Sequence, residues 1–197
     1  MTTAWGSPPA PQLLSGDEKI VGADATLRDF WAWNMSDLRT NTIRSLLAEF
    51  LVAQALGATS RPRVEWDAYD VRTPDGITVE VKSGAYLQAW EQSKLSAIIF
   101  TGLNGRTWAP GGGFSEAASY NADVYVLAVL TATEHATYDA LVLDQWSFWV
   151  LPRRVVEELG QKSIALARVE ALAGPSVTYA ELPARVRVAA AADSHGR

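Results

Sequence analysis

The sequence predicts an α/β domain in which helices flank a mixed sheet of four or five strands. Three observations support this fold class. Two strand-like runs, 64–71 and 77–81, enclose a turn sequence, and two apolar runs, 122–130 and 146–151, have the composition of buried strands. Residues 41–56 repeat apolar side chains at helical spacing. With 197 residues, 48% of them hydrophobic, the chain is long enough to bury one substantial core.

Overall charge and the rare residue types exclude several kinds of site. The net charge is −5 and the sequence pI is near 5.1, which argues against a protein that coats nucleic acid through bulk electrostatic attraction. Zero cysteines exclude disulfides, thiol nucleophiles and cysteine zinc sites, and two histidines are too few for a histidine metal cluster. No apolar run reaches the length of a membrane span and no secretory signal begins the chain, so we expect a cytoplasmic location.

The chain divides into one domain with short ends. We expect a flexible leader over 1–22, where prolines stand among small polar residues, a single domain over 23–188 and a flexible tail over 189–197. The aromatic-rich segment 26–35 predicts a short helix. Packing of this helix onto the core is favoured over a dimer contact, because large aromatic side chains usually serve burial.

The next helix is predicted over 41–56 and is ended by Gly57. Its expected apolar stripe consists of Ile43, Leu46, Leu47, Phe50 and Leu51. Glu49 is the one charged residue between Arg44 and Gly57. A carboxylate on a largely apolar helix must face solvent, pair with a cation or point into a site.

A β-hairpin follows, and its turn fixes the pairing register. Pro74 and Gly76 fit a type I turn closed by a glycine bulge, so Thr73 pairs with Ile77 and Asp70 faces Glu80. Because side chains alternate along a strand, one face should carry Trp66, Ala68, Asp70, Thr78, Glu80 and Lys82. The opposite face, which suits packing against a helix, should carry Tyr69, Val71, Ile77, Val79 and Val81, and Asp67 should point away from Glu80.

The rest of the chain completes the sheet. We expect a short helix over 85–94, a buried central strand over 95–100 and an irregular stretch over 104–121 that fits either a mobile flap or a disordered connection. After the strands at 122–130 and 146–151, Pro152 starts a helix that runs to Gly160, and 163–191 forms a short strand or helix pair. We place the C-terminal helix on the side of the sheet opposite the Glu49 helix. Arg61 and Arg63, at the entrance of the first strand, fit a solvated flank better than a phosphate contact.

The hairpin charges predict a cation site. Two neighbouring carboxylates, Asp70 and Glu80, repel each other, and a hard divalent cation with a preference for oxygen ligands relieves that repulsion. Mg²⁺ or Mn²⁺ is the natural candidate, with the carbonyl of Val81 as a third ligand. Lys82 lies on the same face as Glu80, where its ammonium group can orient water or offset negative charge.

These residues resemble the motif of the restriction-endonuclease-like PD-(D/E)xK nucleases, in which an aspartate, a hairpin turn and Glu-x-Lys follow one another. Asp70, Glu80 and Lys82 match that motif, although Tyr69 stands where the family has proline. The resemblance implies a restriction-endonuclease-like core, Mg²⁺-dependent phosphodiester hydrolysis, DNA as substrate and a homodimer. It also implies an auxiliary role for Glu49, through a second metal or a metal-bound water, and a substrate-orienting role for Gln88. Lys94 and Arg106 are candidates for contacting the nucleic-acid backbone.

Two other interpretations stay open. A bare Glu-x-Lys is common, and the same residues fit a surface hairpin with solvated ion pairs. A nuclease fold without catalysis that binds DNA or a protein partner is the alternative function. The sequence does not distinguish DNA from RNA, or a restriction role from repair or phage defence.

Overall fold

The computed structural model describes residues 9–65, 67–109 and 112–194. Within these ranges the helices are α1 (Leu27–Met35), α2 (Asn41–Ala55), α3 (Arg153–Leu159), α4 (Leu166–Ala173) and α5 (Leu182–Ser194). The strands are β1 (Val71–Arg72), β2 (Thr78–Ala85), β3 (Ile99–Thr101), β4 (Trp108–Ala109), β5 (Gly113–Phe114), β6 (Val124–Leu130), β7 (Trp146–Pro152) and β8 (Ser163–Ala165). Short 3-10 helices cover Leu143–Gln145 and Tyr179–Glu181.

The central sheet has four strands in the order β1-β2-β6-β7, which confirms the predicted mixed α/β fold. β2 and β6 are parallel, whereas the β1-β2 and β6-β7 pairs are antiparallel. The two apolar runs predicted as strands form β6 and β7, and all seven residues of β6 are buried. A continuous apolar run is what a strand covered on both faces requires.

Helices cover both faces of this sheet. α2 and α5 pack on one face through small and branched side chains such as Ala48, Val52 and Val186. α3, α4 and the two-stranded β3-β8 sheet cover the other face, around Leu127 and Val129. The helix predicted to start at Pro152, α3, lies opposite the Glu49 helix as expected, whereas α5, the last helix of the described chain, packs beside α2.

The hairpin has the predicted turn and register. The Thr73 amide donates to the Ile77 carbonyl at 2.9 Å, and the Gly76 amide donates to the Thr73 carbonyl at 2.9 Å. Gly76 has a φ of +93°, a backbone region that glycine adopts without strain. Val71 pairs with Val79 as predicted, but the Asp70 amide also donates to the Val79 carbonyl at 3.1 Å, so the ladder stops before the predicted pair of Asp70 and Glu80.

The first strand is much shorter than the predicted 64–71. β1 contains only two residues. In a longer ladder the Val81 amide would donate to a backbone carbonyl of the first strand, but here it donates to the side chain of Asp70 at 2.8 Å. The segment before β1 therefore does not alternate like a strand. Tyr69 packs in the Leu127 cluster instead of with Val79, and the prediction for Trp66 lies outside the described residues.

Three further segments differ from the prediction. Residues 86–98, all of which the structure describes, contain no helix, and β2 itself continues to Ala85. β3 is not a central strand but pairs with β8, and Ile99 is 57% exposed. The stretch 104–121 contains the β4-β5 pair and an isolated bridge between Gly105 and Ser119, so it is more regular than expected.

The burial of the first two helices also differs from the prediction. All nine residues of α1 are described and none is buried, so the expected core packing is wrong and the dimer contact stays a prediction. In α2 the buried residues are Arg44, Ala48 and Val52, whereas Phe50 is 53% exposed. Positions four apart form this stripe, and the small Ala48 lets the helix approach β2 closely.

The two ends are partly folded. Residues 1–8 of the predicted leader and 195–197 of the predicted tail lie outside the described residues. Within the leader, the Gly16 carbonyl accepts from the Arg28 amide at 2.8 Å, and α5 continues to Ser194. The domain limits stay predictions. Among the described helices, none combines the length and apolar character needed to cross a bilayer.

Candidate active site

The charged residues of the hairpin lie at an open edge of the central sheet. β1 ends the pairing on this side of β2, and Asp70 occupies the position just beyond it. Its Oδ2 atom accepts from the Val81 amide at 2.8 Å, which fixes the carboxylate against the strand edge. The Asp70 side chain is 16% exposed, so it is largely shielded yet still accessible.

Glu80 and Lys82 project from β2 on the face that carries Tyr125, the residue paired with Glu80 in β6. Lys82 Nζ lies 2.5 Å from Glu80 Oε1. Burial and the nearby Asp70 charge disfavour the ionised carboxyl group and raise the pKa of Glu80 to about 7, although Lys82 opposes this shift. A buried carboxyl group with a strongly raised pKa, such as Glu80, is common at functional sites.

Glu49 enters the site from α2, the layer on the other side of β2. It forms an ion pair with Arg63 Nε, and Arg63 Nη2 lies 4.0 Å from Asp70 Oδ1. Burial raises the pKa of Glu49, and the hydrogen bond to Glu49 raises the pKa of Arg63. Of the three expected roles for Glu49, the structure therefore excludes the solvent edge. Arg63, expected at a solvated strand entrance, links two carboxylates.

A polar cleft of about 150 Å³ opens beside Asp70 and Glu80. The loop after β3 and the residues before β6 form its opposite wall, and the lining residues are Asp67, Ala68, Asp70, Glu80, Gly102, Leu103, Asn104, Gly105, Arg106, Ser119, Asn121 and Tyr125. The bridge between Gly105 and Ser119 holds this wall together, and Asn121 Nδ2 donates to the Gly105 carbonyl at 3.2 Å. Asn104 Oδ1 is buried and has no hydrogen-bond partner among the described residues. The cleft therefore offers carboxylate, amide and guanidinium groups together.

The structure brings together most of the predicted site residues. Asp70 and Glu80 line the cleft with Arg106, and Lys82 and Glu49 contact the site through their ion pairs. Arg106 is exposed, and its Nη2 donates to the Glu116 carbonyl at 2.7 Å.

Gln88 and Lys94 lie elsewhere in the structure. Gln88 is only 7% exposed, and its Nε2 donates to the Ala85 carbonyl at 2.9 Å and to Ser96 Oγ at 3.2 Å. Lys94 is exposed and is not among the described residues that line the cleft.

Sequence reasoning missed three lining residues. Asp67, expected to point away from Glu80, lines the same cleft because residues before β1 do not alternate as a strand does. Asn104 and Asn121 lie in the stretch considered irregular. The available signal was Gly102, whose φ of +69° is a backbone conformation that favours glycine.

The donor set at the edge of β2 fits a hard divalent cation. Among the described residues no group of three aspartate, glutamate, histidine or cysteine side chains forms a preassembled metal centre. Mg²⁺ does not require one, since it usually keeps several waters and binds through one or two carboxylates. Asp70 and Glu80 supply such a pair. Val81 directs its amide towards Asp70, and because the amide and carbonyl of a strand residue point to the same edge, its carbonyl faces that side too.

Comparison with known proteins assigns the class. Residues 25–168, most of the chain and the whole of the cleft described above, match a family model of endonucleases. The family is that of Bacteriophage T4 endonuclease IV, and the chain belongs to it. No curated protein matches the chain.

Proposed function

We propose that this protein is a Mg²⁺- or Mn²⁺-dependent DNA endonuclease with an active centre of the PD-(D/E)xK type. One observation carries the proposal. Asp70 and Glu80 line a polar cleft beside the open edge of β2, and Lys82 forms an ion pair with Glu80, in a chain that belongs to an endonuclease family. The motif predicted from the sequence and the cleft beside it together support the proposal.

Asp70, Glu80 and the Val81 carbonyl are the groups proposed to hold the ion. When bound, the ion polarises the phosphorus and lowers the pKa of a coordinated water. Asp70 is kept in place by its hydrogen bond to the Val81 amide, and Glu80 by its position in the buried strand β2.

Lys82 is proposed to act on the water and on the charge that develops at the phosphate. Its ammonium has three donors and no acceptor, and one donor already contacts Glu80 Oε1 at 2.5 Å. The remaining donors are available to orient the attacking oxygen or to stabilise the negative charge of the pentavalent transition state. The Gly102 backbone lies beside this ammonium, since a Cβ atom built there would be 3.9 Å from Lys82 Nζ.

The opposite wall of the cleft is proposed to hold the nucleic acid. Arg106 supplies a guanidinium for a phosphate oxygen, while Asn104 and Asn121 present amide groups that suit sugar or base atoms. Gln88 supports the site indirectly through the segment between Ala85 and Ser96, and Lys94 is a more distant backbone contact. The net charge of −5 then requires binding through this local rim, not through the whole surface.

The biological setting is a separate part of the proposal. A homodimer would let two copies of the site cut the two strands of a duplex. Restriction, defence against phage and repair all fit such a reaction in the cytoplasm. The substrate panel below separates these roles by the form of DNA that is cut.

Cleavage assays test the proposal directly. Supercoiled, linear and branched DNA and an RNA of matched length are incubated with Mg²⁺ or Mn²⁺ and with wild type, Asp70→Ala or Lys82→Ala. We expect the wild type to cut DNA and each substitution to lower the rate roughly 1000-fold. Asp24→Ala and Lys162→Ala, which change exposed residues outside the cleft, are matched controls and should cut like the wild type.

If the control variants also lost cleavage, the loss would reflect misfolding and not the active centre. Thermal unfolding of each variant checks whether it is folded. If none of the proteins cuts, while DNA or a partner binds wild type and Asp70→Ala equally, the hairpin charges are structural. The catalytically inactive binding protein then replaces the nuclease.

A further inference from the structure

We infer that the Arg63 guanidinium contacts the substrate phosphate directly, in addition to the proposed metal ion and Lys82. We also infer that Glu49 is a positioning residue for Arg63 and not a metal ligand. The inference rests on the proposed function. It reassigns Glu49, for which the resemblance to PD-(D/E)xK nucleases implies a second metal or a metal-bound water. Under this inference the substrate phosphate is bound by one metal ion, held by Asp70 and Glu80, and by the guanidinium of Arg63.

The contacts of Glu49 carry the first step. Its carboxylate is 13% exposed and forms an ion pair with Arg63 Nε. A shielded carboxylate on a largely apolar helix needs a cationic partner, and here the chain supplies that partner from a segment fourteen residues away. The Glu49 carboxylate therefore already has a cationic partner within the chain.

The exposure of Arg63 carries the second step. Its side chain is 40% exposed, about three times as much as that of Glu49. Glu49 occupies the Nε side of the guanidinium, and Nη2 lies towards Asp70 Oδ1 at 4.0 Å. A guanidinium has five donors in a planar fork that matches phosphate oxygens. Held through Nε, this fork lies beside Asp70, one of the two carboxylates proposed to hold the ion.

Charge supplies the third step. A divalent cation shared by Asp70 and Glu80 and a second one on Glu49 would both lie close to the Arg63 guanidinium, and like charges at such distances repel. A phosphate, in contrast, brings the negative charge that a metal ion and a guanidinium together can neutralise. The arrangement favours a phosphate over a second metal at Arg63.

A double-mutant cycle tests the coupling. We expect Arg63→Gln to lower cleavage about 100-fold, as loss of a preorganised donor does, and Glu49→Gln to lower it by a similar factor. The double variant should be no slower than Arg63→Gln alone, because Glu49 acts only through Arg63. Arg63→Lys should restore little, since it keeps the charge and loses the fork. Arg61→Gln, an exposed arginine two positions away, is the matched control and should leave cleavage unchanged.

Counting bound Mn²⁺ gives a readout that does not depend on cleavage. Electron paramagnetic resonance titration without DNA should show one bound Mn²⁺ per chain for both wild type and Glu49→Gln. Two bound Mn²⁺ on wild type and one on Glu49→Gln would overturn the inference. Equally, a further loss of cleavage when Glu49→Gln is added to Arg63→Gln would show that Glu49 acts on its own. A wild type that binds Mn²⁺ and cuts, with Arg63→Gln fully active, refutes the inference and leaves the proposed function standing. A wild type that neither binds Mn²⁺ nor cuts removes both.

Discussion

β2 and β6 lie side by side in the same sheet, parallel and in register, yet they serve different ends. All seven residues of β6 are buried, and they pack against apolar side chains on both faces. β2 buries Val79, Val81 and Ala85 but exposes its alternate side chains to the site, among them Glu80. The register pairs Glu80 of β2 with Tyr125 of β6 and Lys82 of β2 with Leu127 of β6, so each charged residue of β2 lies beside a buried residue of β6.

The difference separates residues that stabilise the fold from residues proposed to act in catalysis. β6 gains the free energy of burial at every position, whereas β2 partly buries the carboxyl group of Glu80, whose ionised form is disfavoured there. Functional sites commonly break the rules that stabilise the rest of a fold. Substitutions in β6 should therefore weaken folding, and substitutions at the charged edge should weaken catalysis.

The largest effect is expected for Asp70→Asn. Cleavage should fall roughly 1000-fold because the carboxylate charge is lost. The free energy of unfolding should stay within about 1 kcal/mol of wild type, since an amide oxygen can still accept from the Val81 amide. Cleavage rates and urea unfolding of the same preparation measure the two quantities. A fall of several kcal/mol in stability would mean that the charged edge also holds the fold together.

Leu127→Ala should show the opposite behaviour. Leu127 is completely buried, and its truncation should lower the free energy of unfolding by about 3 kcal/mol through lost burial and a residual cavity. Cleavage at low temperature, where the variant is still folded, should stay close to wild type. Val188→Ala on α5, where the side chain is 63% exposed, is the matched control and should change stability by less than about 0.5 kcal/mol.

The raised pKa of Glu80 predicts how the metal-free protein responds to pH. Because its pKa is about 7 in the folded chain and 4.5 as the reference value, the folded state holds this proton more tightly than the unfolded state. The resulting stability is fully present below about pH 4.5 and is lost as the pH rises through about 7. Urea unfolding of wild type and Glu80→Gln across this range should show a decline in wild type that the variant lacks. Parallel curves for the two proteins would exclude a raised pKa.

The smallest effect is expected for Arg106→Gln on the far wall of the cleft. Loss of one phosphate contact should weaken DNA binding a few-fold and reduce the dependence of log affinity on log salt by about one. Lys94→Gln, outside the described lining of the cleft, should have less effect. Fluorescence anisotropy at several salt concentrations measures both slopes. Equal slopes for the two variants would argue that the DNA backbone does not bind at Arg106.

Local sequence predicted the parts of this fold that depend on near neighbours. The turn at Pro74 and Gly76, the pairing of Val71 with Val79 and the buried runs of β6 and β7 all follow from residues close in sequence. Asp70, Glu80 and Lys82 could be placed together for the same reason. Their separation along the chain is short and one turn relates them.

Features set by distant or side-chain contacts could not be predicted. The first strand is short because a side chain, Asp70, replaces a backbone acceptor, and no propensity scale registers such an exchange. The partner of Glu49 is Arg63, and the far wall of the cleft comes from residues after β3 and before β6. The aromatic residues of α1 suggested burial, yet Trp33 is 82% exposed. Composition gives a preference for burial but does not supply a partner surface.

Gly102 has a consequence for anyone who redesigns the specificity of this cleft. Its φ of +69° lies in the left-handed region, so any other residue there is strained even though a Cβ atom would meet nothing closer than 3.9 Å. A library that probes recognition can vary Asn104 and Arg106 at the wall, whereas any side chain at position 102 adds backbone strain beside Lys82. Variants at 102 would therefore report on backbone strain as well as on recognition.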